Sequence, residues 1–185
     1  MNFNIKRYLA QSLCTLVAFS VVGVQAQEIE EVTVTAQKRE QNQQDVPVAL
    51  DAFSAEMLQQ SSIKTMSDLA SITPVLDSYQ SQNSGFSSWG IRSLNTSSQN
   101  FGLESAVGAY VDGVYRSRQS AISNQLTDIE AVEVLRGPQG TLFGKNTSAG
   151  AVNIRTVAPS HDRNGFFEVV GGDYGLVNLN AAMNT

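Results

Sequence analysis

The sequence has 185 residues, 42% of them hydrophobic and 16% charged, with a formal net charge of −5. That length suffices for one domain with a real core, while the acidic balance argues against nucleic acid, which needs a basic footprint. One cysteine and one histidine leave almost nothing for thiol chemistry or nitrogen–sulfur metal ligation.

Residues 1–26 read as a secretory signal. Lys6 and Arg7 supply the positive start, residues 8–24 are mostly apolar, and Val24-Gln25-Ala26 is a small-residue cleavage pattern. The apolar run is short and a polar segment follows it, which argues against a retained membrane helix. Cys14 lies inside this run, and Leu13 before it is not the small residue that a lipid-attachment cysteine requires. Removing the leader leaves ten basic against seventeen acidic residues and no cysteine, so disulfides are excluded from the remainder.

Residues 27–44 are polar apart from Glu30-Glu31-Val32-Thr33-Val34-Thr35-Ala36, where β-branched residues alternate with no core to follow. Two readings stay open: a frayed tail, or an exposed strand available to a partner's sheet edge. The tract 37–44 reads as solvated and disordered. Folding is expected to begin near Asp45. Val46, Val48, Leu50 and Ala52 alternate as a strand, which Pro47 would confine to an edge. Ser54 caps a short helix over 55–60. Thr65 and Asp68 cap a second, carrying Leu69 and Ile72 and stopped by Pro74. Met57, Leu58, Met66 and Leu69 are core candidates.

The stretch 77–85 is rich in Ser, Gln and Asn and reads as a loop. Residues 86–94, with Trp89 and Arg92, read as a strand, and 95–102 as a second polar loop tipped by Asn100-Phe101. Residues 106–116 predict a hairpin turned at Asp112-Gly113. A helix is expected over 120–128, with Thr127 and Glu130 capping one more turn.

Residues 131–156 read AVEVLRGPQGTLFGKNTSAGAVNIRT. Strands at 131–135 and 151–156 flank a loop punctuated by Gly137, Gly140, Gly144 and Gly150, a compact loop fixed by its turns. In the second strand Val152, Ile154 and Thr156 share one face, and Asn153 and Arg155 the other, the pattern of a half-buried strand. Gly144-Lys145 invites a phosphate-loop reading, but that motif needs Gly at 139 and Ser or Thr at 146. Gln139 and Asn146 stand there, so it fails twice. After Pro159 a polar linker, 160–164, leads to alternating strands at 165–171 and 176–183, joined by Gly172-Asp173-Tyr174-Gly175. Strands and short helices thus mix without a βαβ repeat, and the fold class expected is α+β, with a small mixed sheet.

No acid, base and nucleophile cluster in the sequence, so neither an enzyme nor a cofactor is expected. His161 stands alone in the linker and reads as a solvated loop residue. Asn95-Thr96-Ser97 and Asn146-Thr147-Ser148 match the glycosylation sequon, read here as accident.

The run VEVLRGPQGTLFG (132–144), continuing through Lys145 and Asn146 to AGAVNI (149–154), resembles the signature of the plug domain of TonB-dependent outer-membrane receptors. Residues 30–36 resemble the TonB box of the same family, in the expected place after the signal. The resemblance implies a signal peptide at 1–26, a flexible box segment at 27–44, a plug at 45–158 and the start of a β-barrel at 165–185. It further implies import of a scarce ligand across the outer membrane of a Gram-negative bacterium. The family's cargo is a ferric siderophore, cobalamin, haem or carbohydrate, which passes unaltered. The plug gates the barrel, and TonB, energised through ExbB and ExbD, pulls on the box.

One hairpin spans nothing, because a barrel crosses lipid only when closed and takes at least about eight strands. The chain is therefore read as a fragment or a truncated gene product. The rival reading is a barrel-less, soluble periplasmic plug that binds TonB without transport. Membrane fractionation separates the two, since a bare plug should wash off and a barrel should not.

For individual residues, the resemblance puts Glu30, Glu31, Val32, Thr33, Val34, Thr35 and Ala36 against TonB. It puts Arg92, Glu133 and Arg136 against charges on the barrel's inner wall, where the bland alternative is surface charge on a sheet. Gln82, Phe86, Asn100 and Phe101 lie in outward loops that either touch ligand or are solvated turns. The family usually has Gly after Ile91-Arg92, whereas Ser93 stands here.

Overall fold

The computed structural model of the protein describes residues 32–80, 87–96, 102–123 and 126–184. The elements in order are β1 (Thr33–Val34), β2 (Gln41–Asn42), β3 (Leu50–Ser54), α1 (Ala55–Gln60), α2 (Met66–Ile72), β4 (Leu76–Gln80), β5 (Ser87–Ile91), β6 (Val107–Val111), β7 (Val114–Arg116), α3 (Ser120–Ser123), β8 (Ile129–Arg136), α4 (Gly140–Phe143), β9 (Gly150–Thr156), β10 (Asn164–Gly171) and β11 (Val177–Asn184). This is the α+β class with a mixed sheet. No closed barrel forms among the described residues.

The central sheet has five strands in the order β3-β8-β9-β6-β7. β8 lies antiparallel to β3 and β9, while β6 and β9 run parallel. The longest strands, β8 and β9, take interior places, as their β-branched sequences IEAVEVLR and GAVNIRT favour. Pro47 falls just before the edge strand β3, where a missing N–H breaks no ladder.

Period-2 alternation splits this sheet's side chains between two cores. On one side Val132, Val134, Val152 and Ile154 join Leu58, Met66, Leu69, Trp89 and Ile91. On the other, Leu50, Leu135, Ala151 and Tyr110 join Val34 and Ala36 from the N-terminal segment. Each fully buried Val or Leu contributes about 1.5–3 kcal/mol, so both layers stabilise the sheet.

Local signals in the sequence translate directly into the small elements. Ser54 Oγ accepts the Met57 N–H at the start of α1. Thr65 and Asp68 form a reciprocal capping box on α2. Asp112 and Gly113 both have positive φ, 50° and 77°, the type I′ geometry of a two-residue hairpin. The Asp112 carboxylate also accepts the Thr156 N–H and hydroxyl, each at 2.8 Å, tying the turn to the end of β9.

Four expectations need correction. Residues 76–80 form a strand rather than a loop, paired antiparallel with β5. Its outer residues are exposed and polar, so backbone pairing holds it and no apolar pattern announces it. The helix expected over 120–128 is one turn within the described residues, α3. Thr127 caps nothing helical, because Ile129 already starts β8 beside a register shift. The tract 37–44 carries β2 and a 3-10 turn, Gln43–Asp45, in place of a solvated coil. The alternation at 46–52 yields a strand only from Leu50.

Residues 164–184 form an antiparallel hairpin with opposed pairs from Asn164↔Asn184 to Gly171↔Val177. Directly opposite residues share a face. One face carries Phe167, Val169, Leu179, Ala181 and Met183; the other mixes Glu168, Asn178 and Asn180 with Phe166, Val170 and Ala182. Phe167, Leu179 and Met183 are exposed. Lys64, between α1 and α2, pairs with Glu168 at 2.7 Å, and Asn180 donates to the same carboxylate.

Candidate functional site

The N-terminal segment folds back on itself before the sheet begins. β1 pairs antiparallel with β2, Thr33 opposite Asn42 and Val34 opposite Gln41. Thr35 C=O accepts the Lys38 N–H at 2.7 Å, and Lys38 takes a positive φ to close the turn. Val34 and Ala36 thereby point into the second core, at 0% and 1% exposure.

The expected exposed strand is therefore a covered one here. Of the residues proposed for partner binding, Glu30 and Glu31 lie outside the described residues. Val34 and Ala36 are buried against the sheet, Val32 and Thr35 are half-buried beside them, and Thr33 is exposed.

Beneath this segment the sheet presents Glu133 of β8 and Asn153 of β9, which are register partners. Glu133 is fully buried and Asn153 is 7% exposed. Glu133 Oε1 accepts the Thr35 N–H at 2.5 Å and the Thr35 hydroxyl at 3.1 Å. Asn153 Nδ2 donates to Glu133 Oε2 at 3.1 Å and to Thr35 Oγ1 at 3.3 Å. Among the described residues, no cation pairs with Glu133. The expectation that Glu133 faces a barrel wall therefore does not hold. Its carboxylate is used inside the domain, because β8 aims it at the covered face.

The other two charged candidates sit differently. Arg136, at the end of β8, places Nη2 3.2 Å from Asp51 Oδ1 on the neighbouring β3. Its side chain is 29% exposed, and its buried Nε has no hydrogen-bond partner among the described residues. Arg92 is exposed in a tight turn where both Arg92 and Ser93 have positive φ, 54° and 61°. That geometry explains why glycine suits the position after the Ile-Arg pair. Gln82, Phe86, Asn100 and Phe101 lie outside the described residues.

The glycine-rich loop after β8 is braced rather than free. Gly137 N donates to Ala149 C=O and Gln139 N to Thr147 C=O, which closes the base of the loop. α4 fills the middle, where the sequence suggested only turns. Its Phe143 packs edge-on against Tyr110 at 4.9 Å, and the Tyr110 hydroxyl donates to the Phe143 carbonyl. Burial pushes the Tyr110 phenol above its ordinary value, and the neighbouring Tyr115 adds to the shift.

A cleft of about 420 Å³ opens beside this cluster, lined by Thr35, Lys38, Arg39, Tyr110, Phe143 and Arg155 among others. A second, of about 680 Å³, separates the domain from the hairpin and is lined in part by Leu58, Ile63, Phe167 and Glu168. Among the described residues no group of three His, Cys, Asp or Glu side chains could hold a metal ion. The arrangement is a short strand segment held over the sheet by a buried carboxylate.

Comparison with known proteins bears on this arrangement. The family described as TonB-dependent Receptor Plug Domain matches residues 42–151. The pesticin receptor of Yersinia pestis is 34% identical over 152 residues, covering 80% of this chain and 22% of the relative. The vitamin B12 transporter BtuB of Vibrio vulnificus is 31% identical over 161 residues, covering 83% of this chain and 25% of the relative. The solved ferric yersiniabactin uptake receptor FyuA of Yersinia pestis superposes with a TM-score of 0.56 at 35% identity, over 65% of this chain and 18% of that one. The chain thus spans about a fifth to a quarter of the length of these curated relatives.

Proposed function

Because the chain belongs to the TonB-dependent receptor plug domain family, we propose that it is the N-terminal part of an outer-membrane receptor for energy-coupled import of a scarce ligand. The ligand class favoured is a ferric siderophore; the relative FyuA is named as an uptake receptor for ferric yersiniabactin. The plug gates a barrel that begins at residues 164–184. Residues 1–26 direct secretion, and the segment from Glu30 to Ala36 engages TonB, with ExbB and ExbD as the energy source. Arg92 and Arg136 face the barrel wall, and the orphaned Arg136 Nε is a donor that a wall carboxylate or carbonyl would satisfy.

The observation that carries this reading is the hairpin. One face is a continuous apolar row and the other gathers its polar residues, the dyad pattern of strands between lipid and a lumen. The mixed face, with Glu168, Asn178 and Asn180 beside Phe166 and Val170, is the one that reaches the plug, through Glu168 and Lys64. A soluble plug would gain nothing from the exposed row Phe167, Val169, Leu179 and Met183.

Fractionation of cells carrying the intact gene product tests the reading. The receptor reading expects the protein in the outer membrane after a high-salt wash, and uptake of a ferric siderophore that Val34→Pro abolishes while binding persists. Release of the protein into the periplasmic fraction would overturn it and leave the soluble module.

A further inference from the structure

We infer that Glu133, together with Asn153, is a latch that holds the box segment closed against the plug, and that its release sets how often the segment is available to a partner. This rests on the assignment of residues 30–36 as the partner-binding strand.

A strand can be added to a partner's sheet only through free backbone groups. In this fold those groups are engaged. Thr33 and Val34 ladder with β2, and the Thr35 N–H is spent on Glu133 Oε1 at 2.5 Å. Val34 and Ala36 are locked into the second core.

Of these restraints, the β1–β2 ladder is two residues long, and two-stranded ribbons hold poorly by themselves. The carboxylate is a stronger restraint. It is fully buried, and two of its three donor contacts come from Thr35. A buried charge accepts such bonds with roughly twice the strength of a neutral acceptor.

Opening the segment withdraws both Thr35 donors and exposes Glu133 to water. Asn153 stays, because it is the register partner on β9 and moves with the sheet. The latch is thus placed on the rigid element, and its catch is one residue of the mobile one. β8 runs directly from Glu133 into Arg136 and the glycine-rich loop. A displacement of that loop along the strand would reach the latch within three residues.

The test uses the intact gene product in isolated outer membranes, with a thiol probe at the covered position, Val34→Cys. The mature chain contains no other cysteine within this sequence, and any later one is first replaced. The latch predicts maleimide labelling of Val34→Cys at least about tenfold faster when Glu133→Gln is added, the effect of losing one charge-assisted bond. Glu130→Gln on the same strand should leave the rate unchanged. A second probe, Val132→Cys on the opposite face of β8, should stay protected.

If Val132→Cys also labels, the Glu133→Gln domain is unfolded, and Thr35→Pro decides. That variant keeps the carboxylate on β8 and removes both the N–H and the hydroxyl that it accepts, so faster labelling at position 34 with position 132 protected upholds the latch and an unchanged rate overturns it. An unchanged rate in a folded Glu133→Gln protein also overturns it. Binding of a purified TonB periplasmic fragment is measured in parallel. Faster labelling without any TonB binding would keep the latch and remove the partner assignment.

Discussion

Gly150 offers the sharpest test of how the sheet is built. It is buried at the start of β9, opposite Arg136 of β8, with φ 156°. A Cβ there would lie 2.3 Å from the Leu135 carbonyl oxygen and 2.6 Å from Ile91 Cδ1. The Ile91 methyl is the end of a side chain, though a fully buried one. The Leu135 oxygen belongs to an interior strand and cannot retreat without moving β8.

Gly150→Ala therefore combines backbone strain of about 1–3 kcal/mol with overpacking of about 1–3 kcal/mol. The lower entropy of the unfolded alanine chain returns about 0.4–1 kcal/mol. The expected net loss is about 3 kcal/mol, a large part of the ~5–15 kcal/mol that holds a domain together.

Gly140→Ala is the matched control. It is exposed at the first residue of α4, and a Cβ there meets nothing within 4 Å. It should be neutral or stabilise by up to about 1 kcal/mol. Urea unfolding of residues 32–160, followed by the fluorescence of the chain's single tryptophan, Trp89, reports both, since Trp89 is 1% exposed in the first core. With a slope of roughly 1.5–2 kcal/mol per molar urea, Gly150→Ala should lower the midpoint by about 1.5–2 M. Equal midpoints for the two variants would refute the claim that the close approach of β8 and β9 requires glycine.

Other consequences follow from single contacts. Thr65→Ala removes the acceptor for the Asp68 N–H at 3.1 Å and should cost about 1 kcal/mol in the same unfolding experiment; no change would mean the capping box contributes nothing. Ser93→Gly relieves a left-handed residue whose conformation costs about 1–2 kcal/mol, against about 0.5–1 kcal/mol for glycine's greater freedom when unfolded. A gain of up to about 1 kcal/mol is expected, and a loss would mean that the Ser93 side chain is needed. Tyr110 is held protonated by burial above the ordinary tyrosine value of 10.0. Its contribution to stability is present below that value and is lost as pH rises through the higher folded one. Ultraviolet titration should show a late-ionising tyrosine that Tyr110→Phe removes, and a titration unchanged by that substitution would refute the assignment.

The family and its small elements were legible because their signals are local. A serine or threonine oxygen meets a backbone N–H three residues on, and Asp112-Gly113 supplies two positive φ values in a row. The VEVLRGPQGTLFG run shows itself in contiguous residues. The β4 strand escaped because edge pairing is made by backbone groups that leave no apolar pattern. The extra turn expected after Thr127 came from reading a cap where the chain was already extended, since β8 starts at Ile129.

The candidate site was only half legible. Alternation in β9 correctly put Asn153 and Arg155 on one face and Val152 and Ile154 on the other. It could not tell that this polar face is itself covered at Asn153, nor that Glu133 lies beneath the same cover. Both depend on Thr35, which stands 98 residues before Glu133 in the chain. Sequence alone set which residues share a face, since a strand's pleat has period two. Tertiary structure alone decided what lies against that face, because burial is a property of distant segments meeting. A carboxylate that pattern assigns to solvent, and family resemblance to a barrel wall, becomes, under Val34 and Ala36, the buried partner of the segment proposed to bind TonB.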